Sequence, residues 1–263
     1  MTPGIHSQTV GTGDRPALAI HCMLGSAEIW TPVLTPLGDR ITATTFDLPG
    51  HGQSAPWQAD PAPGAYQTLA TRIAAGFIDR PVDLIGHSFG ASVALRIAVG
   101  APEAIRSLTL VEPVLFSSVR GTPVWEAWSE RQSHLITLMA QGRFEDAARS
   151  FMGVWGAGVP WDALPQKQRD RFTRQMPIIE NVSQANFTDP ADIFRPGGLE
   201  AVDTPVMLIY GQRSPEICPA VCEAIAARLP DVGVASIPGA GHMAPLTHPK
   251  QVSDLIAMNL DRS

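Results

Sequence analysis

The feature that most constrains this chain is a series of short, almost unbroken apolar runs separated by stretches with helical spacing. The runs are ALAIHCM at 17–23, ITATTFDL at 41–48, VDLIGH at 82–87, SLTLVE at 107–112, PVMLIYG at 205–211 and GVASIPG at 233–239. A strand with one wet face alternates apolar and polar residues, whereas a strand covered on both faces has no need to. These runs therefore predict strands with helices on both sides. Helix-like segments occupy 28–38, 66–79, 89–100, 216–229 and 249–260. Alternation of strand and helix implies right-handed crossovers and a mostly parallel sheet, so the expected fold class is α/β.

The alternation stops after residue 113. From 114 to 202 no strand pattern occurs, and VWEAWSERQSHLITLMAQGRFEDAARSFMGVW reads as helices. The segment is too long for a loop, so the expected organisation is a core of 1–113 and 203–263 with a helical cap, 114–202, inserted over the carboxyl edge of the sheet. Four of the six tryptophans, Trp125, Trp128, Trp155 and Trp161, fall in this cap. Most serve to pack the cap, and any that face the cleft form an apolar pocket wall. SAPWQADPAPGAY, at 54–66, reads as a Pro-rich surface loop.

Composition narrows the function classes. With 263 residues the chain is long enough to bury one large core. The net charge of −6 is spread without any run of Lys or Arg, which argues against a nucleic-acid partner. The first residues lack the basic and apolar regions of a signal peptide, and no apolar run is long enough to span a bilayer. The expectation is a cytoplasmic protein with a small-molecule substrate and no membrane partner; oligomeric state is not readable from the sequence. Cys22, Cys218 and Cys222 form an odd set with no C-x-x-C pair, arguing against a disulfide framework. Cys218 and Cys222 are spaced to share a helix face, but a metal site needs further ligands. Neither a metal nor a cofactor is expected.

The chemistry centres on GHSFG at 86–90, which fits G-x-S-x-G with a strand before it and a helix after it. A turn this tight leaves no room for a Cβ at its flanks and lifts Ser88 into a cleft at a helix N-terminus, where developing negative charge is favoured.

Other stretches extend the pattern. HCMLGS at 21–26 is similar to an HGxxGS oxyanion loop, FDLPGHGQS at 46–54 to a D-x-x-G-H-G-x-S segment, and GAGHMAPLTHP at 239–249 to a catalytic-histidine loop. With the elbow, these motifs resemble the α/β-hydrolase family in the family's order, over nearly the whole chain except the cap. The resemblance implies an α/β-hydrolase fold, a serine nucleophile at Ser88, a general base at His242, and an oxyanion hole made by the backbone N–H groups of Met23 and Phe89. Histidine suits the base role because its ordinary pKa lies near neutrality. Cys22 departs from the family's usual glycine. His21, His51 and His87 read as structural or pocket-lining residues, and Asp47 as the residue that holds the DLPGHG turn.

The family usually carries its acid just after the strand that here reads VMLIYG, and the matching residue is Ser214. A serine there supplies no charge. Two carboxylates are candidates: Glu112, at the end of the strand after the elbow strand, where some family members carry their acid, and Glu216, two positions beyond Ser214. Glu216 has a simpler role as an acid in the first turn of a helix. A carboxylate closing an apolar strand is costly unless paired, and an imidazolium would satisfy it, so Glu112 is the expected partner of His242. Together these features point to a serine hydrolase of the carboxylesterase type, acting on a small or medium, largely apolar acyl compound. A carbon–carbon bond hydrolase, a haloperoxidase-like enzyme, or a ligand-binding protein with weak turnover are the alternatives on the same fold. A serine elbow argues against the aspartate-dependent dehalogenases and epoxide hydrolases.

Overall fold

The computed structural model describes residues 4–263. Seven strands form one sheet in the order β1-β3-β2-β4-β5-β6-β7. They are β1 (Ser7–Val10), β2 (Arg15–Ile20), β3 (Ile41–Phe46), β4 (Val82–His87), β5 (Ile105–Val111), β6 (Val206–Gly211) and β7 (Val232–Ile237). All neighbours pair in parallel except β1, which runs antiparallel to β3. The six apolar runs each correspond to one parallel strand. β1 was not expected: SQTV is short and half polar, and it becomes a strand through pairing at the edge of β3.

The near-continuous hydrophobicity of the inner strands has a direct cause. Leu18 and Ile20 of β2, Leu84 of β4, Leu108 and Leu110 of β5 and Val206 and Leu208 of β6 face one apolar core. Their neighbours Ala17, Ala19, Ile85, Val111, Met207 and Ile209 face a second core on the other side of the sheet. The first core lies under α2 (Ala65–Ala75), α3 (Phe89–Gly100) and α7 (Ile217–Ala226), the second under α1 (Thr31–Leu34), the one-turn α8 (Ala244–Thr247) and α9 (Pro249–Leu260). The single helix expected at 28–38 is broken into a 3₁₀ turn at Ala27–Trp30, the one-turn α1, and a second 3₁₀ turn at Thr35–Leu37. Pro32 and Pro36 remove the amide donors that a continuous helix would need.

Between β5 and β6 the described chain holds helices and turns and no strand: α4 (Pro123–Ala140), α5 (Phe144–Trp155) and α6 (Gln166–Thr188). Thr122 caps α4 by accepting from the Trp125 N–H at 3.3 Å, with Pro123 at the first helical position. Buried amides seat α6 on the core. Asn181 accepts from Tyr66 N–H at 2.9 Å and donates to the carbonyls of Asp60 and Ala62, while Gln175 donates to Gly50 O at 2.9 Å. The Pro-rich loop is thus the seat of this helix, and its Trp57 meets Tyr66 edge-on at 5.2 Å.

At the opposite end of the sheet from these helices, the fully buried Asp83 of β4 accepts two bonds from Arg15, at 2.7 and 3.0 Å, and one from Ser107 Oγ at 2.8 Å. Arg15 also donates to Leu260 O at 2.9 Å, tying the last helix to β2. Truncating Asp83 would leave a partly buried guanidinium without its counter-charge. Asp83→Ala is expected to lower unfolding free energy by about 3 kcal/mol, read as a shift of the urea midpoint at constant slope.

Candidate active site

The sharpest turn in the fold separates β4 from α3. Ser88 has φ 57° and ψ −118°, a conformation rarely adopted by a residue with a side chain. Its N–H is held by Val111 O at 2.8 Å, and its carbonyl accepts from Ala91 and Ser92 at the start of α3. The flanking glycines are required by close approach: a Cβ on Gly90 would lie 2.2 Å from Ile20 O, and one on Gly86 2.4 Å from Gly90 O. The turn projects Ser88 over the carboxyl end of the sheet, where it lines a cleft beneath α4, α5 and α6.

His242 follows β7 in a loop and is buried. Its Nε2 lies 2.9 Å from Ser88 Oγ and its Nδ1 2.8 Å from Glu112 Oε2. The carboxylate accepts from Nδ1–H, which leaves Nε2 to accept from the serine hydroxyl. His87, from β4, donates Nε2–H to the His242 carbonyl at 2.8 Å and fixes the loop from behind. The Trp155 ring stands edge-on to the His242 imidazole at 4.6 Å and covers it from above.

Glu112 is fully buried just past the end of β5, with φ 53°. Its Oε1 accepts from Gly211 N–H and from Ser214 Oγ–H, both at 2.6 Å, while Oε2 faces His242. Burial pushes this carboxyl upward, but hydrogen bonds and charge from His242, together with donors from Ser214 and Cys218, outweigh it and hold the pKa at about 2. Glu112 is the carboxylate that the structure places against His242, and Glu216 is exposed at the start of α7. Ser214, which stands where a charge was sought, is a donor to the relocated carboxylate. Neither that role nor the Cys218 thiol was visible in the sequence, because both depend on how β6 and α7 pack against the end of β5.

Glu112, Cys218 and His242 bring one ligand-type atom each within 4.8 Å of one another. Burial, reinforced by the neighbouring Glu112 charge, pushes the Cys218 thiol well above its ordinary range. A metal would need the thiolate. The donor set fits a protonated thiol bonded to the carboxylate.

Met23 and Phe89, the residues expected to supply an oxyanion hole, line the cleft with Ser88. Phe89 is the first residue of α3 and its N–H has no intrahelical acceptor. Neither amide has an acceptor among the described residues. The loop carrying Met23 is braced by neutral histidines. Leu24, at φ 61°, donates its N–H to His51 Nε2 at 3.0 Å, and Leu48 donates to His21 Nε2 at 2.9 Å. Burial lowers His21 to a pKa of about 4 and His51 to about 3. Both accept a backbone proton only because they are uncharged. Asp47 accepts from Ala27 N–H at 2.7 Å and Gln53 N–H at 2.8 Å, joining this loop to the DLPGHG turn. Cys22 is buried, and desolvation raises its thiol to about 12.

The chain matches the α/β hydrolase family model over residues 17–255 and belongs to that family. It is 30% identical over 95% of its length to the dihydrolipoyllysine-residue acetyltransferase component of the acetoin cleaving system of Cupriavidus necator, and it spans 64% of that relative. It is 28% identical to a pimeloyl-(acyl-carrier protein) methyl ester esterase of Methylococcus capsulatus over 96% of this chain and 97% of the relative. The epoxide hydrolase of Bacillus megaterium superimposes with a TM-score of 0.74 at 18% identity, over 98% of this chain and 96% of that one. That last likeness speaks for the fold alone. Among the described residues no helix is long and apolar enough to cross a membrane.

The depressed Glu112 pKa has a signed consequence for stability. Its contribution is fully present above pH about 4.5 and is lost as pH falls through about 2. The difference in unfolding free energy between wild type and Glu112→Gln should be flat at neutral pH and shrink as the pH drops below about 4.5, measured by denaturant titration at a series of pH values.

Proposed function

We propose that this family member is a cofactor-free serine hydrolase that cleaves a small or medium, largely apolar carboxylic ester through an acyl-enzyme. The observation that carries this reading is the unbroken hydrogen-bonded line from Ser88 Oγ through His242 to Glu112, at 2.9 and 2.8 Å. The methyl ester esterase relative adds the bond class. The epoxide hydrolase likeness adds none.

Ser88 Oγ attacks the ester carbonyl carbon as its proton passes to His242 Nε2. The carbonyl oxygen becomes an oxyanion that the Met23 and Phe89 N–H groups stabilise. The imidazolium is held by the buried Glu112 carboxylate, which stays ionised throughout. Collapse of the intermediate breaks the carbon–oxygen bond, and the departing alkoxide takes the proton from His242. Water then gives a proton to His242 and attacks the acyl carbon. The second intermediate releases the carboxylic acid and returns the proton to Ser88.

Space around Ser88 supports an ester with two unequal arms. One limb of the cleft runs under α4 and α6 past Val114, Phe116, Trp128 and Leu135. The other, wider limb runs past Leu24, Met152, Val159 and Leu246. Val159 and Leu246 are exposed at its mouth. Ser88 and His242 line both limbs, as do Phe151 and Trp155. The narrower limb, capped by α4 and α6, suits the acyl group, and the wider limb, with Val159 and Leu246 at its mouth, suits the leaving alcohol.

Ser88→Ala is expected to lower ester turnover by a factor of about 10⁴ or more while substrate binding persists. In intact-mass analysis a fluorophosphonate should add once to wild type, not to Ser88→Ala, and much more slowly to Glu112→Gln. Fast labelling of Glu112→Gln would remove Glu112 from the mechanism. An unlabelled wild type that also fails to cleave short nitrophenyl esters would overturn the esterase reading.

A further inference from the structure

The lining of the capped limb is largely apolar but includes several polar side chains. Five hydrogen-bonding side chains line it besides Ser88 and His242: Arg131 and Gln132 of α4, Ser150 of α5, and Ser183 and Asn186 of α6. Asn186 is only 5% exposed, and its Oδ1 has no hydrogen-bond partner in the protein. Gln132 Nε2 is likewise buried without a partner. A buried amide left unpaired typically costs about 1–3 kcal/mol, and two lining one cavity mark it as built for a polar guest.

Charge selects the kind of guest. The lining contains one cation, Arg131, and no carboxylate, in a chain whose net charge is −6. Among the described residues Arg131 has no ion-pair partner. Arg131 lines the cavity while also being exposed to solvent, and its guanidinium lies over the Trp128 ring at 5.2 Å. Rotation of the Asn186 amide about its last side-chain bond exchanges Oδ1 for Nδ2 with little change of shape, so Asn186 and Gln132 are able to present donors together. A guanidinium and two primary amides lining one largely apolar cavity match the acceptor-only chemistry of a carboxylate.

We infer that the capped limb binds an acyl chain ending in a carboxylate, so that the substrate is the monoester of a dicarboxylic acid, with Arg131, Gln132 and Asn186 holding the free acid. This rests on the serine-esterase reading for the bond cleaved. The binding of the free acid end stands independently of it. Arg131, Gln132 and Asn186 are specificity residues with no part in the proton transfers at Ser88.

The test is calorimetric binding to Ser88→Ala, which measures recognition without turnover. Monomethyl adipate and monomethyl suberate are compared with methyl hexanoate and methyl octanoate, their counterparts ending in a methyl group, and with the corresponding amide-ended esters. The carboxylate-ended esters are expected to bind at least about tenfold more tightly than either counterpart. Adding Arg131→Met or Asn186→Leu should bring that ratio to about one. Equal binding of methyl-ended and carboxylate-ended esters would overturn the inference, and equal binding of amide-ended and carboxylate-ended esters would overturn the carboxylate assignment. Fluorophosphonate labelling of the parent enzyme separates the two readings. An adduct on Ser88 without a carboxylate preference removes the specificity inference and leaves the esterase, whereas a preference without an adduct or ester cleavage does the reverse.

Discussion

A carboxylate without exposed surface is the constraint around which the upper edge of this protein is arranged. Glu112 loses its water entirely, and such a group is tolerated only when its lone pairs are met. Here the donors come from separated parts of the chain. Gly211 ends β6, Ser214 and Cys218 lie at the approach to and start of α7, and His242 lies beyond β7. Satisfying one buried charge therefore draws the ends of β5, β6 and β7 into a single arrangement. The imidazole orientation and its 2.9 Å approach to Ser88 follow from that arrangement.

Three of the five described non-glycine residues with positive φ sit in the same place. Ser88, Glu112 and Leu24 all adopt positive φ without being glycine. Each is over-determined by its surroundings: Ser88 N–H by Val111, Glu112 N–H by Ile209 and Leu24 N–H by His51. Local strain of about 1–3 kcal/mol per residue survives only where packing enforces it, and here it aims two side chains and a loop at one cleft. The neutral histidines belong to the same design. His21, His51 and His87 are all buried, all driven down by desolvation, and all used as fixed hydrogen-bonding struts for the loops around Ser88.

The helices between β5 and β6 contribute shape more than chemistry. Trp155 stands edge-on to His242, and Trp128 lies beside Arg131, while Trp161 packs against Phe172. One tryptophan therefore reduces water access to the imidazole and another positions a cation, and both effects require helices that lie across the cleft. Asn181 and Gln175 hold α6 there through backbone carbonyls of the core, which couples the shape of the cavity to the Pro-rich loop.

The six parallel strands were legible in the sequence because strands buried on both faces have to be written as apolar runs, whereas their order in the sheet was not. The elbow was legible because its two glycines are enforced by contacts within a few residues of sequence or with the adjacent β2. β1 was not legible: SQTV carries no burial signal, and its strand conformation comes from its neighbour. The helix at 28–38 was misread as continuous because the periodic apolar positions outweighed two prolines. At the site, the sequence by itself supplied Ser88, His242 and a choice between two acids, each placed at the end of a strand or beside a helix. The partner of His242 was decided only by the tertiary structure, since Glu112 and His242 lie 130 residues apart and their contact depends on the adjacency of β5, β6 and β7. The bonds of Ser214 and Cys218 to Glu112 were decided in the same way, because a hydrogen bond across the sheet leaves no periodic trace along the chain.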